Sequence, residues 1–310
     1  MISVRCPASC GEIFQGPVNK QEALISYAID LYSVVRLEKG KRMTGSNQDK
    51  AYHAMEETLK YFDRPESLLK DYRLIIKSDI PRGKGMASST ADVAGSVMLS
   101  AKMLQCPMTE DILGEISAKV EPTDSTLFSK LSLFNSRSGK RLRSYGPYPK
   151  GSVLILEGEG TVDTLEYHRR HQGVKSQQMD QENKNLDNLH RNGLVENPIR
   201  LAQAFKAWEK NRENLSLKEL GKLATVSARA HQQILPKPGL EKIIKLSAQS
   251  EAYGVNTAHS GSVLGVLYDE ALFDKEGFIR KIHKEGLRKH YPILRDHRLI
   301  PGGLQWLKYL

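Results

Sequence analysis

The chain has 310 residues, of which 39% are hydrophobic and 26% charged, so it can bury a core as one large domain or two ordinary ones. No apolar run reaches the roughly 18 residues that a membrane span needs. The first residues lack the basic start and the long apolar stretch of a signal peptide. These features predict a cytoplasmic protein with no membrane partner.

The formal net charge of +10 predicts an affinity for anions. The basic runs at 137–143, 280–290 and 295–298 are not interleaved with the aromatic residues on which single-stranded nucleic acids stack. The charge therefore favours a solvated basic face that also attracts nucleotide, rather than a nucleic-acid partner. The three cysteines fit a reducing compartment, and Cys6 and Cys10 have no second Cys/His pair to complete a metal site.

The N-terminal half alternates strand-like and helix-like segments. A short strand at 3–6 is expected to run into a turn at 7–11, and 24–37 is rich in Ile, Tyr and Val, which favours one or two strands. The remaining predictions are helices at 51–62, 88–104 and 109–120, the last capped by Thr109, and strands at 72–77 and 152–157.

The C-terminal half has a different character. Residues 167–197 are polar and predict either a long exposed helix or a linker. Amphipathic helices are expected at 198–210, 217–231, 239–253 and 273–285, with an apolar strand at 262–268 and a return to strand near the end. The change in composition near residue 155 suggests one unit at 1–155 and a second at 156–310, each with an α+β organisation.

A loop rich in glycine and serine separates the strand at 72–77 from the helix at 88–104. Gly83 and Gly85 allow the backbone to turn tightly and present N–H groups to a ligand. The start of the helix adds unpaired N–H donors and a partial positive charge, which together favour an anion. An ordinary strand-to-helix turn with a serine cap would use the same residues. The loop matches neither the Walker A pattern nor the dinucleotide fingerprint.

The string from Pro81 to Ala91 resembles the second motif of the GHMP kinases, a family that includes galactokinase, homoserine kinase and mevalonate kinase. Looser matches to the first and third motifs lie at 6–12 and 256–265, in the family's order. The resemblance implies an N-terminal ATP-binding domain like ribosomal protein S5 domain 2 and a ferredoxin-like C-terminal domain. It assigns ATP and its phosphates to Pro81, Gly83, Lys84, Gly85, Met86, Ala87, Ser88, Ser89 and Thr90.

Phosphoryl transfer to an alcohol needs neutralised phosphates and an oriented hydroxyl group. By resemblance, Asp124 is the catalytic base, and Glu121 with Ser89 holds Mg²⁺. The family has a longer gap between these two carboxylates and an Asn after the Asp, where this chain has Ser125. Glu115, about two helical turns earlier, therefore stays open as the metal ligand.

The Pro-Ala-Ser-Cys-Gly-Glu and Glu-Pro-Thr-Asp-Ser strings are similar to one branch of the family, the L-threonine kinases of cobalamin assembly. That likeness implies ATP and a free amino acid as substrates, with Glu12 binding the ammonium group and Ser260 and Gly261 near the substrate. Homoserine kinase activity, a nucleotide sensor without turnover and a nucleic-acid-binding protein are the alternatives. The sequence does not predict the oligomeric state.

Overall fold

The computed structural model describes residues 2–19, 21–42, 48–161, 198–212, 215–232 and 234–307. Its helices are α1 (Asp49–Tyr61), α2 (Ser88–Met103), α3 (Glu110–Val120), α4 (Pro198–Lys210), α5 (Leu217–His231), α6 (Leu240–Ala248) and α7 (Lys275–Lys284). Its strands are β1 (Ile2–Val18), β2 (Gln21–Lys39), β3 (Tyr72–Ser78), β4 (Leu131–Asn135), β5 (Lys140–Gly146), β6 (Ser152–Glu157), β7 (Gly254–Thr257), β8 (Val263–Tyr268), β9 (Ile293–Ile300) and β10 (Gln305–Leu307).

The strands form one hydrogen-bonded sheet in the order β10-β1-β7-β8-β6-β9-β2-β4-β5, with β3 also paired to β2. Strands β1 and β2 also pair with each other. The strands β1, β7, β8, β6, β9 and β2 therefore form a closed ring of pairings. Strands from both halves of the chain therefore share a sheet, and the domain boundary near residue 155 stays a prediction.

The hairpin of β1 and β2 is the longest pairing, and it corrects the expected turn at 7–11. The strand continues through this segment, with register shifts after Pro7 and after Ser9. These irregularities accommodate Pro7, which lacks an N–H group, and Gly11, whose φ of 68° is left-handed. Glu12 pairs with Thr257 of β7, so the hairpin meets the C-terminal strands at this residue.

Most of the other predicted elements are confirmed within a few residues, including the Thr109 cap, whose side chain accepts a hydrogen bond from Ile112 N. The last two helices are shorter than expected: the 239–253 segment is helical only over α6, and the 273–285 segment only over α7. Strands β4, β5 and β7 were not predicted. Strands β4 and β7 are short, and the residues of β5 are exposed or half-buried, so β5 shows no apolar alternation. The polar stretch at 167–197 lies outside the described residues.

Helix α2 positions the glycine- and serine-rich loop on the sheet. It packs on β1 and β2, and Gly95 lets it approach closely, because a Cβ there would lie 2.6 Å from Cγ2 of Val35. On the C-terminal side, α5 packs on β7 and β1 in the same way, with Gly254 against the backbone of Gly221. One helix from each half of the chain, α2 and α5, therefore packs against the β1–β2 hairpin.

No helix within the described ranges combines the length and the apolarity that crossing a bilayer requires.

We expect Phe205→Ala to destabilise the protein, because this α4 side chain is 3% exposed and stacks on Phe14 of β1 with ring centroids 4.3 Å apart. The cavity left behind should lower the free energy of unfolding by about 3–5 kcal/mol in a urea titration. Leu272→Ala is the control, since Leu272 is 52% exposed. Equal stability of the two variants would contradict the packing of α4 on the hairpin.

Candidate active site

In the loop before α2, every second residue from 83 to 87 has a left-handed backbone conformation, and this arrangement exposes N–H groups. Gly83, Gly85 and Ala87 have φ values of 68°, 80° and 59°, all in the left-handed region. Ala87 is strained there, as an L side chain rarely adopts this conformation, and it leads directly into the first turn of α2 at Ser88. Backbone donors at a helix N-terminus form a site suited to an anion.

Backbone hydrogen bonds hold this loop between two other segments. On one side, Ser9 N donates to Met86 O and Gly11 N to Gly85 O, each at 3.2 Å. On the other side, Ser262 N donates to Lys84 O at 3.0 Å. The three segments are those that resemble the three motifs of the family in the sequence analysis.

A cavity opens beside the loop and is bordered by residues from every part of the predicted site. The loop contributes Pro81, Gly83, Gly85, Met86, Ala87, Ser88, Ser89 and Thr90. The other lining residues are Glu12, Gln15, Leu24, Glu121, Pro122, Thr123, Asp124, Ser136 and Ser260. Lys84 and Gly261 are not among them: the Lys84 side chain is directed to Gly158 and Gly160, and Gly261 packs against the backbone of Lys84 and Gly85.

Glu121 lies between a hydroxyl group and a cation. It is 4% exposed, Ser89 Oγ donates a short hydrogen bond to its Oε1, and Lys50 Nζ lies 2.6 Å from its Oε2. Glu115, the alternative, is exposed on α3, and its carboxylate contacts Tyr61 at 3.5 Å. The geometry thus favours Glu121 over Glu115 as the partner of Ser89, although it assigns neither a metal.

Asp124 is a buried carboxyl group at the cavity wall. Ser9 Oγ donates to its Oδ2 at 3.0 Å, and the Ser26 hydroxyl group and the Ser125 N–H lie close enough to this carboxyl group to lower its pKa. Burial, and secondly the negative charge of Glu12, raise the pKa of Asp124 to about 7. A carboxylate of this kind can accept a hydrogen bond from a ligand hydroxyl group and take its proton.

Glu12 is held by the segment that follows β7. Its Oε2 accepts hydrogen bonds from His259 N at 2.9 Å and from His259 Nδ1 at 2.8 Å. Burial, and then the nearby charge of Lys237, lower the pKa of His259 to about 3, so this ring is neutral and donates from Nδ1. His259 therefore orients the Glu12 carboxylate at the cavity wall.

Two residues assigned to the phosphates have other partners in this structure. Lys84 Nζ donates to Gly158 O at 2.7 Å and to Gly160 O at 2.8 Å, away from the cavity. Thr90 Oγ1 accepts from Asp124 N and from Thr123 Oγ1, each at 3.2 Å. Thr90 thus fixes the segment that carries Asp124, and Lys84 ties the loop to the end of β6.

The sequence analysis did not single out Ser9, Lys50 or Lys237 as site residues. Ser9 stands in the first-motif string, so its place beside Glu12 was a usable signal. Lys50 and Lys237 lie outside the three motifs, and no local pattern marks them. They reach the site only because α1 and the α5–α6 connection fold against it.

The chain was compared with known proteins. Residues 49–129 match the model of the GHMP kinases N terminal domain. The chain is 33% identical over 310 residues to an L-threonine kinase of Citrobacter freundii, covering 98% of this chain and 99% of that protein. It is 32% identical to an L-threonine kinase of Salmonella typhimurium, covering 97% and 94% of the two chains.

Solved structures agree with the expected α+β fold at much lower sequence identity. Lactococcus lactis galactokinase superposes with a TM-score of 0.69 at 13% identity, covering 99% of this chain and 95% of that one. Methanococcus jannaschii mevalonate kinase gives 0.63 at 14% identity, covering 99% and 98%. These likenesses confirm the predicted fold class.

We expect Gly85→Ala to disrupt the docking of the loop. An added Cβ would lie 2.3 Å from Cβ of Ala258, and the φ of 80° disfavours an L side chain. The matched control is Gly160→Ala, which has a similar φ of 77° but no atom within 4 Å of the new Cβ. Gly85→Ala should lose about 2 kcal/mol more unfolding free energy than the control in guanidinium titrations. A smaller loss than the control would contradict the observed contact.

Proposed function

Because this chain belongs to the GHMP kinase family, we propose that it transfers the γ-phosphoryl group of ATP to the hydroxyl group of free L-threonine. The chain is a phosphotransferase that acts on an alcohol. The product would be O-phospho-L-threonine, used in cobalamin biosynthesis in the cytoplasm. The relatives that match nearly the whole chain are L-threonine kinases, which supports threonine as the acceptor.

The observation that carries the proposal is the buried carboxyl group of Asp124, which lines the same cavity as the Gly83–Ala87 loop. A hydroxyl group that donates to this carboxyl group would share the cavity with phosphates held by the loop. Asp124 would take the proton as the oxygen attacks phosphorus. With a pKa near 7, the group is ionised in part at neutral pH and remains basic enough for this transfer.

The oxygen atoms of Ser89 and Glu121 fit the ligand preference of Mg²⁺, which is usually held by one or two carboxylates together with substrate phosphates. Such an ion would neutralise charge on the phosphates. Lys50 Nζ places a positive charge 2.6 Å from the other carboxylate oxygen of Glu121. We assign Ser89 and Glu121 to the metal and Lys50 to charge balance at the same carboxylate.

The acceptor end of the cavity fits a small amino acid with both charged and apolar groups. Glu12 and Asp124 place two buried carboxylates close enough for the charge of one to raise the pKa of the other. The ammonium group of an amino acid would offset this repulsion. Leu24 and Pro122 line the same cavity and offer apolar surface to the methyl group of threonine, which homoserine and serine lack.

The proposal predicts that ADP release, in a coupled assay with MgATP, depends on L-threonine. The panel should include homoserine, serine, galactose and mevalonate, with O-phosphothreonine identified by mass spectrometry. Turnover with homoserine but not with threonine would overturn the acceptor assignment. Nucleotide binding without turnover on any acceptor would favour the nucleotide-sensor alternative.

Asp124→Asn should lower kcat by about 10²–10⁴-fold, because the amide cannot accept the proton. In the wild type, kcat/KM should rise with pH through about 7, as Asp124 becomes ionised. Ionisation of Asp124 in the folded state also lowers the free energy of unfolding. The native state binds more protons than the unfolded state between the ordinary pKa of 3.8 and about 7, so stability falls as pH rises through this range.

Asp124→Asn removes that cost, and its Tm at pH 8 should therefore exceed that of the wild type. Differential scanning calorimetry at pH 5 and pH 8 measures this difference. Full activity of the variant, or a pH profile without a step near neutrality, would exclude Asp124 as the base.

A further inference from the structure

Lys237 lies in the connection between α5 and α6, where its backbone is rigidly held. Gln232 bonds it from both sides: Lys237 N donates to Gln232 Oε1 at 2.6 Å, and Gln232 Nε2 donates to Lys237 O at 3.1 Å. Pro236 and Pro238 flank it and restrict the chain further. The lysine side chain is thus directed inward by a preorganised connection.

The ammonium group of Lys237 is buried behind the active site. The residue is 5% exposed, and Nζ donates a short hydrogen bond to Gly261 O. Burial lowers its pKa to about 8, and the negative charge of Glu12 opposes this decrease. A buried ammonium group is expensive, since its desolvation costs several kcal/mol in typical proteins. A position that served packing alone would be filled more favourably by Met or Leu.

Gly261 is the contact between Lys237 and the phosphate-facing loop. A Cβ at Gly261 would lie 2.1 Å from Lys84 O and 2.3 Å from Gly85 N, so the two backbones touch. The next residue, Ser262, donates its N–H to Lys84 O, and the preceding one, Ser260, lines the cavity. The hydrogen bond that Lys237 donates to Gly261 O therefore also restrains the backbone of Lys84 and Gly85.

We propose that Lys237 is a positioning residue for the nucleotide phosphates, acting through Gly261 O on the Gly83–Ala87 loop. It also places a positive charge behind a site that binds an anion. It does not line the cavity. This assignment rests on the proposed function, because it presupposes that the loop holds the phosphates of ATP.

Two substitutions separate the components of this role. Lys237→Met keeps an unbranched side chain, one atom shorter than that of lysine, but loses both the charge and the hydrogen bond. Lys237→Gln retains an N–H donor for Gly261 O without the charge. Lys245→Met is the matched control, because Lys245 is an exposed lysine on α6 and the variant loses the same charge.

The test is the dissociation constant of a non-hydrolysable ATP analogue with Mg²⁺, measured by calorimetry, together with the Tm of each variant. Lys237→Met should weaken binding about tenfold, because it removes the positive charge behind the loop and the hydrogen bond that positions Gly261 O before the nucleotide binds. Lys237→Gln should fall between Lys237→Met and the wild type. Lys245→Met should stay within about twofold of the wild type.

The Tm of Lys237→Met should equal or exceed that of the wild type, because the buried charge is removed. Wild-type affinity in both Lys237 variants would overturn the assignment. A loss of folding in both variants would also overturn it, since a positioning role leaves the fold in place. If the wild type itself bound no analogue, the proposed function would fall, and the assignment of Lys237 with it.

Discussion

The contact between the Gly83–Ala87 loop and two backbone segments, one in β1 and one after β7, is the constraint on which the active site depends. The hydrogen bonds on either side are made by main-chain atoms, so they require close approach and leave no space for side chains. Gly85, Ala258 and Gly261 meet there, and an added Cβ at either glycine would overlap backbone or Cβ atoms. The small residues therefore serve the assembly of the three segments, in addition to the phosphate binding that we propose for the loop.

That assembly brings together carboxylates that would repel one another in isolation. Each is handled differently: Glu121 pairs with Lys50, Glu12 with the neutral ring of His259, and Asp124 retains a neutral form because its pKa is raised. A buried carboxylate without a full set of partners is costly. The site therefore favours cationic ligands, such as the metal ion or the ammonium group that we propose.

The helices and the buried strands were largely predictable, since their apolar periodicity is strong. The course of β1 was not, because Pro7 and Gly11 are typical of turns, and only pairing with β2 on one side and β7 on the other makes this segment extended. Strands β4 and β7 are short, and they too depend on non-local pairing rather than on local propensity. Local sequence patterns therefore do not predict which strand pairs with which.

By itself, the sequence determined the glycine- and serine-rich loop, the order of the three motifs and the carboxylates Glu12, Glu121 and Asp124, since these are contiguous strings with fixed chemistry. Only the tertiary structure decided what each residue faces. It turned Lys84 away from the cavity, joined Ser9 to Asp124, and brought Lys50 and Lys237 to the site from distant segments. The reason is physical: burial and charge pairing depend on residues far apart in the chain. The pKa of Asp124 is raised only when folding buries this residue near Glu12.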